Sequence, residues 1–520
     1  MTKRCAEVRE FRFPVWNEPV ILAMGREGER GMLFSDSGEE IKSKAGAALS
    51  HIPEKIRRKE APRLPEVAQP QVLRHYLRLS QMCLAMDTNI DAKGTATMKY
   101  SPKVNEALAR LPEMSEIHPC QDEDTVQGIL EIIYKMDLIF RDISGLDRFS
   151  FQPPGGSMAT FTHACVLRAY HKDRGESDQR NEVITTIFSH PCNAATAATA
   201  GFKVVTLMPG EDGYPDFNAL RAALSKHTAG LMITNPEDTG LFNPRIREFT
   251  EAVREAGGLC FYDQANANGI LGITRAKEAG FDACHFNLHK TFSSPHGSGG
   301  PGCAAYGVRQ GLAKYLPEPV VTFDGTTYHL DRERPDSIGK VTEFHGNIPA
   351  VLRAYAWIMT LGAEGLLEVA HTSVLNNNYL AKRIEKIRGT RRTYAPGKFR
   401  LEQERWSWEN LTEDTGVTTR DIHHRMADYG LQSYFMSHHP WTTPEPFTPE
   451  FCESYSVEDM EYWCAVLNRI SDESYSDPEL VKSSPHNAPI HKVDPAAFND
   501  PKKWAMTWRA YLKKKMDECD

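Results

Sequence analysis

The sequence predicts an α/β protein with a large, doubly wound sheet domain and a smaller C-terminal α+β domain. From about residue 180, short apolar runs alternate with segments of helical spacing. The runs are apolar along almost their whole length, which is typical of parallel strands covered by helices on both faces. A long helical stretch, residues 348–387, then leads the chain out of the sheet region and is interrupted between Gly362 and Gly365.

Each element of the sheet region has its own signal. Six runs are predicted as strands: EVITTIF (182–188), FKVVTLM (202–208), GLMIT (230–234), GLCFYD (258–263), ACHFNL (283–288) and CAAYGV (303–308). Four intervening segments are predicted as helices: NAATAATAG (193–201), DFNALRAALSKHT (216–228), NPRIREFTEAVREAG (243–257) and ILGITRAKEAG (270–280). This βαβα order predicts a parallel sheet.

The chain divides into three predicted regions. Residues 1–90 form an N-terminal extension, rich in Glu, Arg and Pro, with an amphipathic helix predicted in 70–86. Residues 91–350 form the large domain. Residues 351–520 form the C-terminal small domain and tail, where Trp and Pro are frequent and periodicity is weak.

Composition excludes several classes of function. The 520 residues are 41% hydrophobic and 25% charged, as in ordinary globular proteins, and the net charge of −8 disfavours nucleic-acid binding. No window reaches the roughly 18 apolar residues of a membrane span, and the N-terminus lacks a secretory apolar core. The 11 cysteines have no CxxC pair and no metal-ligand spacing. We therefore expect a cytoplasmic protein with reduced thiols and without a metal, nucleic-acid or membrane partner.

Polar residues stand where three of the predicted strands end. These residues are Asn235, Asp263 and Lys290. In a doubly wound sheet, ligands bind at the carboxyl ends of the strands, so a lysine and an aspartate at neighbouring ends can meet on one ligand. Burial lowers a lysine's pKa and frees its amine as a nucleophile. Pyridoxal 5′-phosphate (PLP) needs such a lysine and an acid beside its pyridinium nitrogen.

Other interpretations of these residues stay open from spacing alone. A single lysine after a strand is usually a surface residue, and a single aspartate there is usually a turn former or helix cap. The glycine-rich GSGGPG loop at 297–302 is consistent with a phosphate site but also with an ordinary turn.

Longer motifs favour the PLP interpretation. The segment NLHKTFSSPHGSGGPG (287–302) closely resembles the PLP-lysine motif of the glycine-cleavage P-protein family, the decarboxylating glycine dehydrogenases. The resemblance covers about residues 65–460, and the chain length matches the second subunit of the split bacterial form. Five other segments are similar to parts of the family in the same order: GTATMKYSPKVNE (94–106), SHPCNAATAATAGFKVV (189–205), NPEDTGLF (235–242), FYDQANANGI (261–270) and EDTGVTTRDIHHRMADYGLQ (413–432).

The resemblance implies a fold-type-I, aspartate-aminotransferase-like PLP enzyme. It implies three catalytic residues: Lys290 as the Schiff-base lysine, Asp263 beside the pyridinium nitrogen and His190 over the ring face. The further cofactor-binding residues that it implies are Gly156, Ser157 and Thr291 at the phosphate, Asn235 and Thr239 near the 3-hydroxyl and the site wall, and Ala265 and His289. On position alone, His289, His296 and Lys99 are candidates to meet the substrate carboxylate.

The same resemblance implies a reaction and its partners. The family decarboxylates glycine and transfers the aminomethyl group to the lipoyl group of a carrier, the H-protein. The implied partners are glycine, a sister subunit and this carrier, in a homodimer or heterotetramer. The segment GTATMKYSP (94–102) is expected to help close the site, from the same chain or across an interface.

Three functions remain as alternatives. The first is a glycine-cleavage subunit. The second is a stand-alone PLP enzyme for another amino acid (a lyase, a decarboxylase or a carbon–carbon-forming enzyme), with His438 and His439 in its pocket. The third is a non-catalytic scaffold subunit. The presence of both Asp263 and Lys290 argues against the scaffold. Gln264 and the pair Glu237-Asp238 replace smaller family residues, and they would change the substrate if they faced the pocket.

Overall fold

The computed structural model describes residues 6–29, 31, 38–46, 51–60, 62, 64–97, 99–297, 300–432, 434–493, 499–500 and 507–517. The chain divides into two compact units. The larger unit comprises Met1–Glu10 and Ala85–Ser483, and the smaller comprises Phe11–Leu84 and Ser484–Asp520. The domain limits at residues 90 and 350 remain predictions.

A seven-stranded sheet forms the centre of the larger unit, in the order β1-β7-β6-β5-β4-β2-β3. Its strands are β1 (Arg148–Ser150), β2 (Glu182–Thr186), β3 (Lys203–Leu207), β4 (Thr228–Thr234), β5 (Leu259–Asp263), β6 (Ala283–Asn287) and β7 (Ala304–Val308). The six predicted strands are confirmed as β2 to β7. Strand β1 has only three residues, too few for a sequence pattern.

The prediction of a wholly parallel sheet is wrong at one strand. Strand β7 runs antiparallel to both β6 and β1, whereas β2 to β6 are parallel to one another. The physical reason is the connection: the described residues between β6 and β7 contain no helix, so the chain reverses at the end of β6 and returns beside it. The sheet is therefore mixed.

Helices cover both faces of the sheet, as predicted. The chain contains, between residues 103 and 384, the helices α3 (Lys103–Ala109), α4 (Pro112–Ser115), α5 (Gln127–Ser144), α6 (Gly156–Asp173), α7 (Cys192–Thr199), α8 (Phe217–Ala223), α9 (Ile246–Glu255) and α10 (Ile348–Ile384). Leu231 and Ile233 of β4 pack in one core cluster with α5, α8, α9 and α10. Met232, between them, packs with α6 and α7 on the other face.

One predicted helix is absent. Residues 270–280 fold as successive turns rather than as a helix. Gly272 and Gly280 have φ angles of +72° and +87°, in the left-handed region that interrupts a right-handed helix.

The predicted interruption of the long helix is confirmed. Gly362 lies within α10 with φ 64° and ψ −175°, which divides it into two helical segments. Beyond α10 the chain forms a small α+β region with the antiparallel sheet β10-β11-β12. Its elements are β10 (Arg391–Arg392), β11 (Trp406–Ser407), α11 (Glu409–Thr415), α12 (Thr419–Ala427), β12 (Pro446–Phe447), α13 (Val457–Ser476) and α14 (Pro478–Lys482). A separate hairpin pairs β8 (Val320–Phe323) with β9 (Tyr328–Asp331).

The smaller unit contains α1 (Glu39–Ala45), α2 (Gln69–Gln81) and α15 (Trp508–Asp517). Helix α2 confirms the amphipathic helix predicted near its residues. Its buried His75 contacts Glu18 at 2.9 Å through Nδ1. Across the described part of the chain, none of the helices has both the length and the apolar character needed to cross a membrane.

A buried ionic network connects two helices of the C-terminal region. Arg425 of α12 donates through Nε to Glu473 of α13 at 2.9 Å and through Nη1 to Asp428 at 2.9 Å. Tyr429 donates its hydroxyl to the same glutamate at 2.5 Å. Burial opposes the ionised form of Glu473, but Arg425 and Tyr429 outweigh it and lower its pKa.

We expect Arg425→Met to destabilise the protein by about 3–5 kcal/mol, because Glu473 and Asp428 would keep buried charges without their main partner. Arg469→Met is the matched control, since Arg469 also contacts Glu473 but its side chain is 61% exposed. The control should cost no more than about 1 kcal/mol.

Thermal unfolding followed by circular dichroism measures both variants. The lowered pKa of Glu473 means that the network stabilises the fold above the carboxyl's ordinary pKa and is lost as the pH falls through the folded-state value. The difference between wild type and Arg425→Met should therefore shrink in acid. Equal melting temperatures for both variants at neutral pH would contradict this account.

Candidate active site

Two oppositely charged side chains approach each other at the carboxyl end of the sheet. Asp263 is the last residue of β5, and Lys290 lies three residues beyond the end of the neighbouring strand β6. Asp263 is buried and Lys290 is half-buried, and the charge of Asp263 favours the ionised form of Lys290. Strand pairing places His285 directly beside Asp263.

The Asp263 carboxylate is held from three sides. Asn193 donates its side-chain amide to Oδ2 at 2.8 Å, and the Ala265 N–H donates to Oδ1 at 3.1 Å. The Nε2 atom of His285 lies 3.5 Å from Oδ1. Burial alone would raise the pKa of Asp263, but the charges of His285 and His190 and these hydrogen bonds lower it.

Lys290 is held by the segment that precedes α3. Its Nζ donates to the backbone carbonyl of Thr95, whose own N–H donates to Oε1 of Gln403 at 2.6 Å. The segment 94–102 therefore reaches the lysine within the same chain. Burial lowers the pKa of Lys290, while Asp263 and Glu450 act in the opposite direction.

A small pocket, with a cavity volume of about 50 Å³, opens between these residues. It is lined by Thr95, Phe188, His190, Thr234, Pro236, Asp238, Asp263, Ala265, Asn266, Lys290, Glu402, Gln403 and His438. The ring centroids of His190 and His438 lie 4.5 Å apart. Burial lowers the pKa of His190 to about 4 and that of His438 to about 3, so both rings are neutral near pH 7.

The glycine-rich segments bring backbone close to the pocket. Gly156 begins α6 against β6, and a Cβ there would lie 2.8 Å from Nδ2 of Asn287. A Cβ on Gly302 would lie 2.5 Å from Nδ1 of His289. Ser157, next to Gly156, is exposed. The first turn of α6 has no side-chain cap, so its N–H groups and the helix dipole are directed at any bound anion.

The structure assigns other contacts to several predicted site residues. Asn235 accepts from the N–H of Asn243 at 2.7 Å, and neither Asn235 nor Thr239 is part of the pocket lining. Thr291 accepts from the N–H of Ala267 at 2.9 Å. His289 contacts the backbone of residue 303 at 3.1 Å, and burial lowers its pKa to about 3.

The candidates for the substrate carboxylate differ in their surroundings. Lys99 is buried in an ion pair with Glu453 at 2.7 Å and lies 4.5 Å from the centroid of Trp357. Its charge is therefore already compensated. His296 packs against His289 with ring centroids 4.6 Å apart. Neither Lys99 nor the two histidines line the described pocket.

The three substitutions that suggested a changed substrate have different positions. Only Asp238 lines the pocket, and Arg405 donates to its Oδ2. Glu237 instead accepts from the hydroxyl of Thr186. Gln264 is buried outside the pocket lining, without a partner for Oε1 among the described residues.

Sequence reasoning missed several residues of the site. Four residues that contact Asp263, Thr95 or the pocket are not among the predicted site residues: Asn193, His285, Glu402 and Gln403. Glu402 and Gln403 lie more than a hundred residues from Lys290 in the chain. Their segment LEQER (401–405) is polar and has no strand or helix periodicity, so no local pattern marks these two residues as part of the site.

The residues present fit PLP. A half-buried lysine with lowered pKa, a buried aspartate held in its ionised form and an uncapped helix start supply the three partners that an aldehyde, a pyridinium and a phosphate require. The Oδ1 atom of Asn287, beside Gly156, is buried without a partner. Among the described residues, no cluster of histidine, cysteine, aspartate or glutamate could hold a metal ion.

Comparison with solved structures identifies the fold. The chain superposes on glycine decarboxylase (P-protein) of the glycine cleavage system in inhibitor-bound form with a TM-score of 0.71. The two are 19% identical, over 84% of this chain and 100% of the other. Sphingosine-1-phosphate lyase from Burkholderia pseudomallei gives a TM-score of 0.60 at 13% identity, over 82% of this chain and 95% of the other. The fold is that of fold-type-I PLP enzymes.

Comparison of sequences identifies the family. The class-V aminotransferase model matches residues 157–394. The probable glycine dehydrogenase (decarboxylating) subunit 2 of Pyrococcus furiosus is 43% identical over 96% of this chain and 98% of its own length. The protein of the same name from Staphylothermus marinus is 38% identical over 98% of this chain and 100% of its own length. The chain therefore belongs to the glycine dehydrogenase (decarboxylating) subunit 2 family.

Proposed function

We propose that this protein holds PLP at Lys290, decarboxylates glycine and passes the aminomethyl group to the lipoyl disulfide of a carrier protein. The observation that carries the proposal is that Lys290 and Asp263, at neighbouring strand ends, both line one pocket. The names of the relatives support the substrate, and the words "subunit 2" in them support a sister subunit. We expect the assembly to be a homodimer or a heterotetramer.

Asp263 is the residue that makes the cofactor effective. When bound, PLP supplies a protonated ring that accepts the electron pair released as carbon dioxide leaves the substrate. A carboxylate keeps that ring proton in place only if it stays ionised itself. The hydrogen bonds from Asn193 and Ala265 keep Asp263 ionised in spite of its burial.

Lys290 supplies the amine. Burial lowers its pKa, which increases the fraction of unprotonated, nucleophilic amine. The Thr95 carbonyl accepts a hydrogen bond from Nζ and so fixes the direction of the side chain. The start of α6, with Gly156 and Ser157, would hold the phosphate through its free N–H groups.

The walls of the pocket keep charge away from the reacting centre. His190 and His438 are neutral because burial lowers their pKa values. We expect His190 to lie over the ring face when PLP is bound, where an uncharged imidazole would not compete for the ring proton that Asp263 would hold.

The names of the relatives support glycine as the substrate. Glu237 is bound to Thr186, and Arg405 donates to Oδ2 of Asp238. The Oδ1 atom of Asp238 is buried without a hydrogen-bond partner among the described residues, so this pocket-lining carboxylate can accept a further hydrogen bond from a substrate or carrier group. The alternative, a stand-alone PLP lyase or decarboxylase for another amino acid, is favoured by one observation, the presence of His438 in the pocket.

Borohydride reduction of the purified protein should attach the pyridoxyl group to Lys290, because that buried amine is the nucleophile of the pocket. Peptide mapping by mass spectrometry locates the label. Lys99, buried in its ion pair with Glu453, is the internal control and should stay unmodified. A pyridoxyl group on another lysine would overturn the assignment.

Exchange of labelled bicarbonate into the carboxyl group of glycine tests the reaction. With the sister subunit and a lipoyl carrier present, we expect rapid exchange by the wild type. Asp263→Asn should lower the exchange rate by about 100- to 1000-fold while PLP remains bound, because a neutral amide does not hold the ring proton.

Asp282→Asn is the matched control for this experiment. Asp282 is also buried at the sheet, but it pairs with Arg309 at 2.7 Å and is not part of the pocket lining. Its exchange rate should stay near that of the wild type. The proposal fails if the wild type shows no exchange with carrier and sister subunit present, particularly if another amino acid then changes the spectrum of bound PLP.

A further inference from the structure

Transfer of the aminomethyl group to a sulfur of the lipoyl disulfide consumes a proton. This inference rests on the proposed function. Glycine loses its carboxyl carbon as carbon dioxide, and the electron pair left on the α-carbon forms a bond to one sulfur of the lipoyl disulfide. The sulfur–sulfur bond breaks, and its electrons leave with the second sulfur as a thiolate. Glycine is oxidised, the disulfide is reduced, and the thiolate must take up one proton.

Two buried glutamates lie at or next to the pocket in different environments: Glu402 lines it, and Glu450 contacts its wall through Asn266. Glu450 accepts from Asn268 at 2.8 Å, from Asn266 at 2.9 and 3.0 Å and from Thr97 at 2.9 Å. Burial raises the pKa of Glu450, whereas these four hydrogen bonds act in the opposite direction and satisfy both of its oxygens. Glu450 also acts as a counter-charge to Lys290.

Glu402 lacks this support. It lines the pocket, is 2% exposed, and its Oε2 has no hydrogen-bond partner among the described residues. Its carboxyl group packs on Gly269, where a Cβ would lie 2.2 Å from Oε2. Burial, followed by the charge of Glu450, raises the pKa of Glu402 to about 8. The two acids differ in their hydrogen bonding: Glu450 accepts four hydrogen bonds, whereas Oε2 of Glu402 accepts none from the described residues.

We propose that Glu402 is the catalytic acid that protonates the leaving sulfur of the carrier disulfide. The carboxyl gives its proton to the thiolate and regains one from solvent after the product leaves. The other titratable groups at the pocket are less suited to donate this proton. The carboxylates of Asp263 and Asp238 are bound by Asn193 and Arg405, respectively. Lys290 is the cofactor amine, and His190 and His438 are neutral.

The test compares two disulfides with different leaving groups. The probes are lipoamide, whose leaving thiol is weakly acidic, and a bis(nitrobenzoate) disulfide, whose leaving thiol is strongly acidic and needs no proton donor. The holoenzyme with its sister subunit is given carboxyl-labelled glycine, and disulfide-dependent release of labelled carbon dioxide is measured. Glu402→Gln should slow release with lipoamide by roughly 100- to 10,000-fold and affect the aromatic disulfide far less.

A second readout does not depend on turnover. Infrared difference spectroscopy at neutral pH, with and without the cofactor, should show the carbonyl stretch of a protonated carboxylic acid in the wild type that Glu402→Gln lacks. Glu402→Asp retains an acid and should recover part of the lipoamide rate. If Glu402→Gln fails to fold, Glu402→Asp still tests the proposal through the same band and the same pair of disulfides.

Glu237→Gln is the matched control. Burial also raises the pKa of Glu237 to about 8, but this side chain is bound to Thr186 and is not part of the pocket lining. It should lose its own carboxylic-acid band and leave both rates unchanged. If Glu402→Gln lowered the rate of carbon dioxide release equally with both disulfides, or with neither, the role of Glu402 as proton donor would be overturned, while the proposed function would stand. No wild-type release from glycine would overturn the proposed function as well.

Discussion

The attraction between the Asp263 carboxylate and the Lys290 amine, at neighbouring strand ends, is the interaction on which the candidate site depends. Removing two charges from water costs several kcal/mol for each ion, and only close partners offset that cost. Parallel strands supply the geometry, because β5 and β6 end at the same edge of the sheet. The lysine and the aspartate therefore share one pocket although 27 residues separate them.

The surrounding residues follow from the need to keep this pair in its working state. Asn193 and Ala265 satisfy the carboxylate, and the Thr95 carbonyl directs the lysine. The histidines of the pocket are neutral, so they add no positive charge that would compete with Lys290. The small C-terminal region contributes Glu402 and Gln403, which close the same space from a separate part of the chain.

The sequence predicts the parts of the fold that depend on local pattern. The apolar runs identify β2 to β7, and glycine spacing identifies the break in α10 at Gly362. The direction of β7 depends instead on a connection without a helix, which apolarity does not report. Residues 270–280 have a helical apolar spacing, but glycines with positive φ convert them to turns.

The candidate site is predictable to a similar extent. Asp263 and Lys290 stand at strand ends and within motifs of the family, so the sequence predicts them, and both line the described pocket. Asn235 also stands at a strand end, but its side chain is bound to the backbone of Asn243. Glu402 contacts the site only because the C-terminal region folds back on the sheet, and no local pattern indicates such a contact.

The state of the cofactor ring nitrogen tests the central claim most directly. PLP labelled with ¹⁵N at that position, bound to the protein at neutral pH, reports protonation through its nitrogen chemical shift. Our account predicts a protonated nitrogen in the wild type and an unprotonated nitrogen in Asp263→Asn. An unprotonated nitrogen in the wild type, or a protonated one in the variant, would contradict the role given to the buried aspartate.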